Sequence, residues 1–196
     1  MKKFLSLAIL SLTLVACVDK TGLSADSSRK PTGNPNAAVV VQEFGDLQCP
    51  ACKAAYESIV KPLLAQYSST ISLEFKHFPL RSIHEYALDL AEGSECAADQ
   101  GKFWEFVDIA YTKQSELSRS SIRAWAASLG LDMPLWDRCT KSHIKRATIL
   151  ADYAEGEKRG VVGTPTFFVN GTKVDSNLEA ISAAITAATT GAAQRL

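Results

Sequence analysis

Val39-Val40-Val41-Gln42-Glu43-Phe44-Gly45-Asp46-Leu47-Gln48-Cys49-Pro50-Ala51-Cys52 passes from a β-branched run, through a Gly-Asp turn, into a helix whose first residue is a proline. The run from Ala37 to Phe44 suits a buried strand, and a proline directly after Cys49 suits the first helical position, where no N–H is needed. Alternation from Val41 points Glu43 inward, whereas Asp46, in the turn, reads as a solvated helix-entry residue. The helix continues through Tyr56, Ile59, Val60, Leu63, Leu64 and Tyr67, a stripe of period 3.6, with a kink expected at Pro62. Ile71, Leu73 and Phe75 then alternate with Ser72, Glu74 and Lys76, as in a strand. Strand, helix and strand form one β-α-β unit.

From Ser82 to about Gly160 the chain turns rich in Ala, Leu, Glu and Trp. Helical stripes appear at Phe103, Trp104, Phe106, Val107, Ala110 and Tyr111, and again at Ile122, Trp125, Ala126 and Leu129. Residues 82–160 are therefore expected to form an inserted helical domain, its aromatic stripe serving as core. Beyond it, Thr166–Val169 and Thr172–Val174 flank Asn170-Gly171, the turn residues of a two-residue hairpin loop. Ser176 and Glu179 have the spacing of a capping box that would open a last helix through Leu178, Ile181, Ile185 and Ala188. The fold class is α/β, with residues 37–81 and 161–190 forming one domain around the insertion.

The chain has 196 residues, 46% of them hydrophobic and 21% charged, which is enough to bury a core without disulfide staples. Lys+Arg and Asp+Glu both total 21, so no basic excess is available to neutralise nucleic-acid phosphates, and nucleic acid is not expected as a partner. Lys2 and Lys3 precede an uncharged apolar run, Phe4–Val15, shorter than the ~20 residues of a membrane-spanning helix, which marks residues 1–16 as a signal peptide. Leu14-Val15-Ala16-Cys17 resembles a bacterial lipobox, with Cys17 lipidated as the new N-terminus; the alternative is a soluble export signal cleaved near Ala16. Loss of Lys2 and Lys3 leaves a net charge of −2, too little to hold the chain on a membrane by charge. Asp19–Asn36, poor in apolar residues and carrying Pro31 and Pro35, reads as a flexible tether within residues 17–36, able to reach ~60 Å when extended.

Five cysteines in an exported chain leave an odd one, which lipidation of Cys17 would absorb; Cys49, Cys52, Cys96 and Cys139 can then form two pairs. Cys49 and Cys52 lie on one first helical turn, where free N–H groups and the helix dipole stabilise a thiolate on the first cysteine. Cys49 is the expected nucleophile, and Cys52, deeper in the helix, resolves the mixed disulfide. A C-x-x-C pair also occurs as half of a zinc site, but zinc needs two more ligands at matching spacing. Cys96 and Cys139 stand apart with no adjacent partner, so no metal is expected.

Glu43-Phe-Gly-Asp-Leu-Gln-Cys49-Pro-Ala-Cys52, Phe78-Pro79-Leu80, the helical block with Cys96 and Gln100-Gly-Lys-Phe103-Trp104, and Gly163-Thr-Pro165-Thr-Phe-Phe-Val-Asn-Gly171 together resemble the DsbA family of thioredoxin-fold thiol-disulfide oxidoreductases. The match runs through nearly all of residues 38–188. It implies that Pro165 is the cis-proline facing the active disulfide, that Thr164 offers its backbone to an extended substrate with Pro50 bordering the same groove, and that Glu43 is the buried acid exchanging a proton with Cys52. It also implies a second, structural disulfide between Cys96 and Cys139. No cofactor beyond the Cys49/Cys52 pair is implied.

The resemblance implies a disulfide donor to exported proteins, and the lipobox implies a lipid anchor to the envelope with the domain in the periplasm or outside the cytoplasmic membrane. A membrane-bound, quinone-linked partner would reoxidise it. Pro50-Ala51 lacks the histidine of the strongest oxidants in the family, so a reductase or isomerase is the alternative, and a non-catalytic binding lipoprotein is a third reading. His77, His84 and His143 do not cluster in sequence and are assigned no role. His84-Glu85 lacks the second histidine of a zinc-protease motif, and neither G-x-S-x-G nor a phosphate-binding glycine loop is present. Asn170-Gly171-Thr172 matches a glycosylation sequon, but its Asn-Gly serves the hairpin.

Overall fold

The expected strand over residues 37–44 is observed as Val39–Gly45, the centre of a five-stranded sheet in a computed structural model that describes residues 22–193. In chain order the strands are β1 (Thr32–Gly33), β2 (Val39–Gly45), β3 (Ile71–His77), β4 (Thr166–Val169) and β5 (Thr172–Val174), arranged β1-β3-β2-β4-β5. β2 runs parallel to β3 and antiparallel to β4, and β4 and β5 form the hairpin turned by Asn170-Gly171 at positive φ. The helices are α1 (Pro50–Ala55), α2 (Lys61–Tyr67), α3 (Ala87–Ala98), α4 (Phe103–Thr112), α5 (Arg119–Ser128), α6 (Met133–Ser142), α7 (Arg146–Lys158) and α8 (Leu178–Ala193).

Register places Glu43 between Phe75 of β3 and Phe167 of β4 on one sheet face, so its carboxyl is flanked by two aromatic side chains. That face belongs to the main core, shared with Val39, Val41, the α1–α2 stripe, α8 and the apolar stripes of α4 and α5. The opposite face carries Phe44 and Phe168, with Phe78 and Val161 packed beside them and Tyr153 of α7 stacked on Phe78 at 4.3 Å. A Cβ on Gly156 would come within 2.7 Å of the Phe78 ring, so only glycine lets α7 approach the sheet this closely. The last helix of the inserted block thus covers that face, while within the α3–α6 group Glu95 of α3 bonds His77 and Phe103 of α4 packs against Phe75 on the other. The Cys96–Cys139 disulfide joins α3 to α6 within that group.

Three local expectations are corrected. The helix after Cys49 meets Pro62 by widening into a π-turn over Tyr56–Val60, with the Lys61 N–H reaching back to the Tyr56 carbonyl, so Pro62 enters α2 where no N–H is required. The last helix is capped by Asn177, whose Oδ1 accepts from the Ala180 N–H at 2.8 Å; Ser176, expected as the cap, instead donates to the Pro165 carbonyl. The tether expected over residues 19–36 is docked across its described part. Arg29 pairs with buried Glu95 and with Asp152, Lys145 and Thr148 donate to the Asp26 and Ala25 carbonyls, Trp104 donates to the Lys30 carbonyl, and β1 pairs with β3. Composition reports only the apolar surface a segment can bury, whereas this segment is held largely by charge and by its own backbone. Residues 1–21, on which the expected signal peptide and the expected lipidation of Cys17 fall, lie outside the described residues.

Candidate active site

Cys49 takes the N-cap position of α1 with extended backbone, and Pro50 follows as the first helical residue. Sγ of Cys49 therefore sits where the free N–H groups of the first turn converge. Both thiols are free, Cys49 6% exposed and Cys52 fully buried behind it. The Thr164-Pro165 peptide is cis, and the Cys49 thiol donates to the Thr164 carbonyl at 3.5 Å, so two segments 115 residues apart in sequence meet at the Cys49 sulfur. Pro50 is exposed beside it, and Val162, on the approach to Thr164, is almost wholly exposed.

The electrostatics separate the two sulfurs. A hydrogen bond from Cys52 stabilises the Cys49 thiolate most; the Cys52 and Ala51 N–H groups add to it, and the stabilising contacts outweigh burial and bring its pKa down to about 5. Burial, the hydrogen bond to Cys49 and the charge of Glu43 push Cys52 well above the ordinary thiol range. Glu43, 1% exposed and with no hydrogen-bond partner for its Oε1, is raised from 4.5 to about 8, first by burial and then by the Cys49 charge. Alternation along β2 was a sufficient guide to its inward orientation. Facing the same charges is Tyr111 of α4, wholly buried, its hydroxyl also unpartnered and held neutral by burial and by the charges of Cys52 and Glu43.

Asp46 is buried, contrary to the solvated role expected for it. Its Oδ1 accepts from the Gln48 N–H at 2.8 Å, and its Oδ2 accepts from the Leu80 N–H at 2.9 Å and from His84 Nδ1 at 2.7 Å. Its main chain touches both cysteines, the N–H donating to Cys52 Sγ at 3.5 Å and the carbonyl accepting from the Cys49 N–H at 3.0 Å. Further ties bind this loop to the helices. Gln114, in a 3₁₀ turn after α4, donates to the Leu47 and Cys49 carbonyls, and the Gln48 side chain accepts from the Tyr86 N–H. No sequence signal links His84 or Gln114 to a loop 38 or 65 residues away. His77 and His143 face Glu95 and Glu92 instead. Cys96 and Cys139 are bonded to each other, as the resemblance implied, and so neither is available as a zinc ligand to Cys49 and Cys52.

A thioredoxin family model matches residues 27–187. Among curated proteins, one from Salinispora arenicola named Na(+)/H(+) antiporter NhaA 1 is 38% identical over 161 residues, 81% of this chain and 24% of its own; the Salinispora tropica Na(+)/H(+) antiporter NhaA 3 is 37% identical over 158 residues, 80% of this chain and 24% of its own. The chain thus spans about a quarter of the length of these relatives. No described helix is long and apolar enough to cross a membrane. Among solved structures, a thioredoxin-like oxidoreductase from Silicibacter pomeroyi superposes with a TM-score of 0.72 at 25% identity, covering 88% of this chain and 98% of that one. BdbD from Bacillus subtilis gives 0.74 at 20% identity over 82% and 92% of the two chains, and α-DsbA1 from Wolbachia pipientis 0.74 at 20% over 85% and 93%. The sheet around β2, the helices inserted between β3 and β4, and the cysteine pair set against a cis-proline agree with these likenesses, and the chain belongs to the thioredoxin family.

Proposed function

We propose that this protein is a thiol-disulfide oxidoreductase of the bacterial cell envelope, donating the Cys49/Cys52 disulfide to exported proteins. The observation that carries the reading is the placement of Cys49 at the start of α1 against the Thr164 carbonyl, with Cys52 buried behind it. A substrate thiolate attacks Cys49 Sγ, breaking the bond to Cys52; Cys52 leaves as a thiolate and takes a proton, with Glu43 as its source. A second substrate thiolate attacks the substrate sulfur of the mixed disulfide and expels Cys49 as a thiolate. The substrate is oxidised by two electrons and the protein is left as a dithiol, so a membrane-bound oxidant of the quinone-linked class must restore the disulfide. No other cofactor is required. Thr164, Pro165 and Pro50 border the sulfur that the substrate segment approaches.

Lipidation at Cys17 would hold the domain at the membrane. Because Leu23 is packed against the core, the six steps of chain from Cys17 can span at most ~22 Å, which keeps the domain close to the bilayer. That similar segments occur in chains named as Na(+)/H(+) antiporters supports work beside a membrane.

A stabilised Cys49 thiolate favours the dithiol form, which makes the disulfide oxidising. The absence of histidine from Pro50-Ala51 favours the second reading, a reductase or isomerase. Equilibration in glutathione buffers followed by thiol alkylation separates them. The expected reduction potential lies above about −200 mV, and a value near the about −270 mV of thioredoxin assigns the protein to the reductase reading. A pair that does not exchange with glutathione leaves the binding-protein reading.

A further inference from the structure

The main chain of Asp46 bonds both cysteines, accepting from the Cys49 N–H and donating to Cys52 Sγ. The direction of that N–H depends on what holds the rest of the residue. Two of the donors to its side chain, the Gln48 and Leu80 N–H groups, come from the backbone, and the third is the imidazole of His84, at 2.7 Å. A carboxylate can only accept, so Nδ1 of His84 carries the proton. His84 lies in the loop between β3 and α3, outside the helix that carries the thiols, and its side chain is 13% exposed while that of Asp46 is fully buried.

We infer that His84 and Asp46 form a positioning pair for the resolving cysteine: His84 anchors the Asp46 side chain, and Asp46 thereby presents its N–H to Cys52 Sγ when Cys52 acts as a thiolate. The inference rests on the proposed dithiol chemistry and deepens it. A buried sulfur that must ionise to attack has few compensating donors, and a fixed N–H is one that survives exclusion of water. Cys49 does not need the pair, because the α1 N–H groups and the Cys52 thiol stabilise its thiolate. The pair therefore governs resolution and leaves the first attack alone.

An aromatic disulfide reports the two steps separately. With 5,5′-dithiobis(2-nitrobenzoate), attack by the Cys49 thiolate breaks the reagent disulfide, releases one nitrothiobenzoate anion and leaves a mixed disulfide. Attack by Cys52 then expels a second anion and closes the Cys49–Cys52 bond, so the protein is oxidised by two electrons and the reagent is reduced by two. In stopped flow, His84→Phe is expected to leave the first phase within about twofold of the parent and to slow the second about tenfold, the loss of one hydrogen bond to a charged sulfur. His84→Asn, whose amide N–H reproduces the Nδ1 donor, is expected to restore the second phase, and Asp46→Asn, tested in parallel, to resemble His84→Phe. An unchanged second phase in His84→Phe and Asp46→Asn overturns the inference. So does an equal slowing of both phases that tracks a lower melting temperature and is not rescued by His84→Asn. A parent protein that releases only one anion fails at the earlier step, the dithiol reading itself.

Discussion

Glu43 carries the clearest pH signature at the scale of single residues. In the unfolded chain its carboxyl ionises near 4.5, and in the folded protein near 8, because burial between Phe75 and Phe167 disfavours the charge and the Cys49 thiolate disfavours it further. Between those values the folded state binds one proton more than the unfolded state. Stability is therefore full below about pH 4.5 and falls as pH rises toward 8, by up to about 1.4 kcal/mol per pH unit. Glu43→Gln removes this slope. The variant is expected to gain stability over the parent steadily from pH 5 to pH 8 in urea titrations of the reduced proteins; comparison at each pH sets aside the opposite slope contributed by Cys49, whose folded pKa lies below its unfolded value. A constant difference across that range would show that Glu43 is ionised throughout. Glu43 and Asp46 are three residues apart, yet only one was legible in sequence. Strand alternation reports on Glu43, while the burial of Asp46 depends on Leu80 and His84, which arrive from another loop.

At the scale of elements, the sequence pattern located helices well and their ends less well. Ser176 and Glu179 have capping-box spacing, but the chain leaves the hairpin in a direction that turns Ser176 toward the Pro165 carbonyl and leaves Asn177 to cap α8. Asn177→Ala is expected to cost about 1 kcal/mol in urea unfolding, and Glu179→Ala only a few tenths. The reverse order would restore Ser176 as the cap. The kink expected at Pro62 shows the same limit. Proline removes a donor, and that much is readable, but the π-turn that absorbs the change also seats Tyr56 against Tyr111 with ring centres 5.1 Å apart. That contact joins the cysteine-bearing helix to the inserted block. Gln114 makes a second join, holding the carbonyls of Leu47 and Cys49. The inserted helices thus hold the loop before Cys49 in place as well as flanking it.

At the scale of the whole molecule, residues 22–36 cross from the inserted helices to the sheet edge, tying together parts that adjoin only in the fold. Arg29 is the centre of this strap, lying over the Phe103 ring and pairing with Glu95 of α3 and Asp152 of α7. Burial alone would raise the Glu95 pKa; His77, Arg29 and Ser27 outweigh it and bring it down to about 2. Arg29→Ala leaves two buried carboxyl groups short of a partner and is expected to cost about 3 kcal/mol at neutral pH. The parent's stabilisation from Glu95 is present above about pH 4.5 and lost as pH falls toward 2, so the acid transition of the variant is expected at higher pH. Circular dichroism across an acid titration checks both; a variant that unfolds with the parent would mean that the strap contributes no stability.

The cysteine spacing, strand alternation, helical stripes and Asn-Gly turn were enough, together with the family resemblance, to identify an α/β fold with a helical insertion and to place Cys49, Cys52, Glu43 and Pro165 in one site. These features are local, or are repeated through a family, and each follows from a short-range rule about which residues a strand, a turn or a first helical turn accepts. Tertiary structure alone decided that Asp46 is buried and tied to His84, that Gln114 and Tyr111 come to the dithiol from the inserted helices, and that the segment after Gly22 is docked. Those outcomes rest on polar groups meeting across 38 to 123 residues of chain. A side chain that will be charged or hydrogen-bonded in the fold looks solvent-facing in sequence, because its desolvation is compensated only by a partner that folding brings to it.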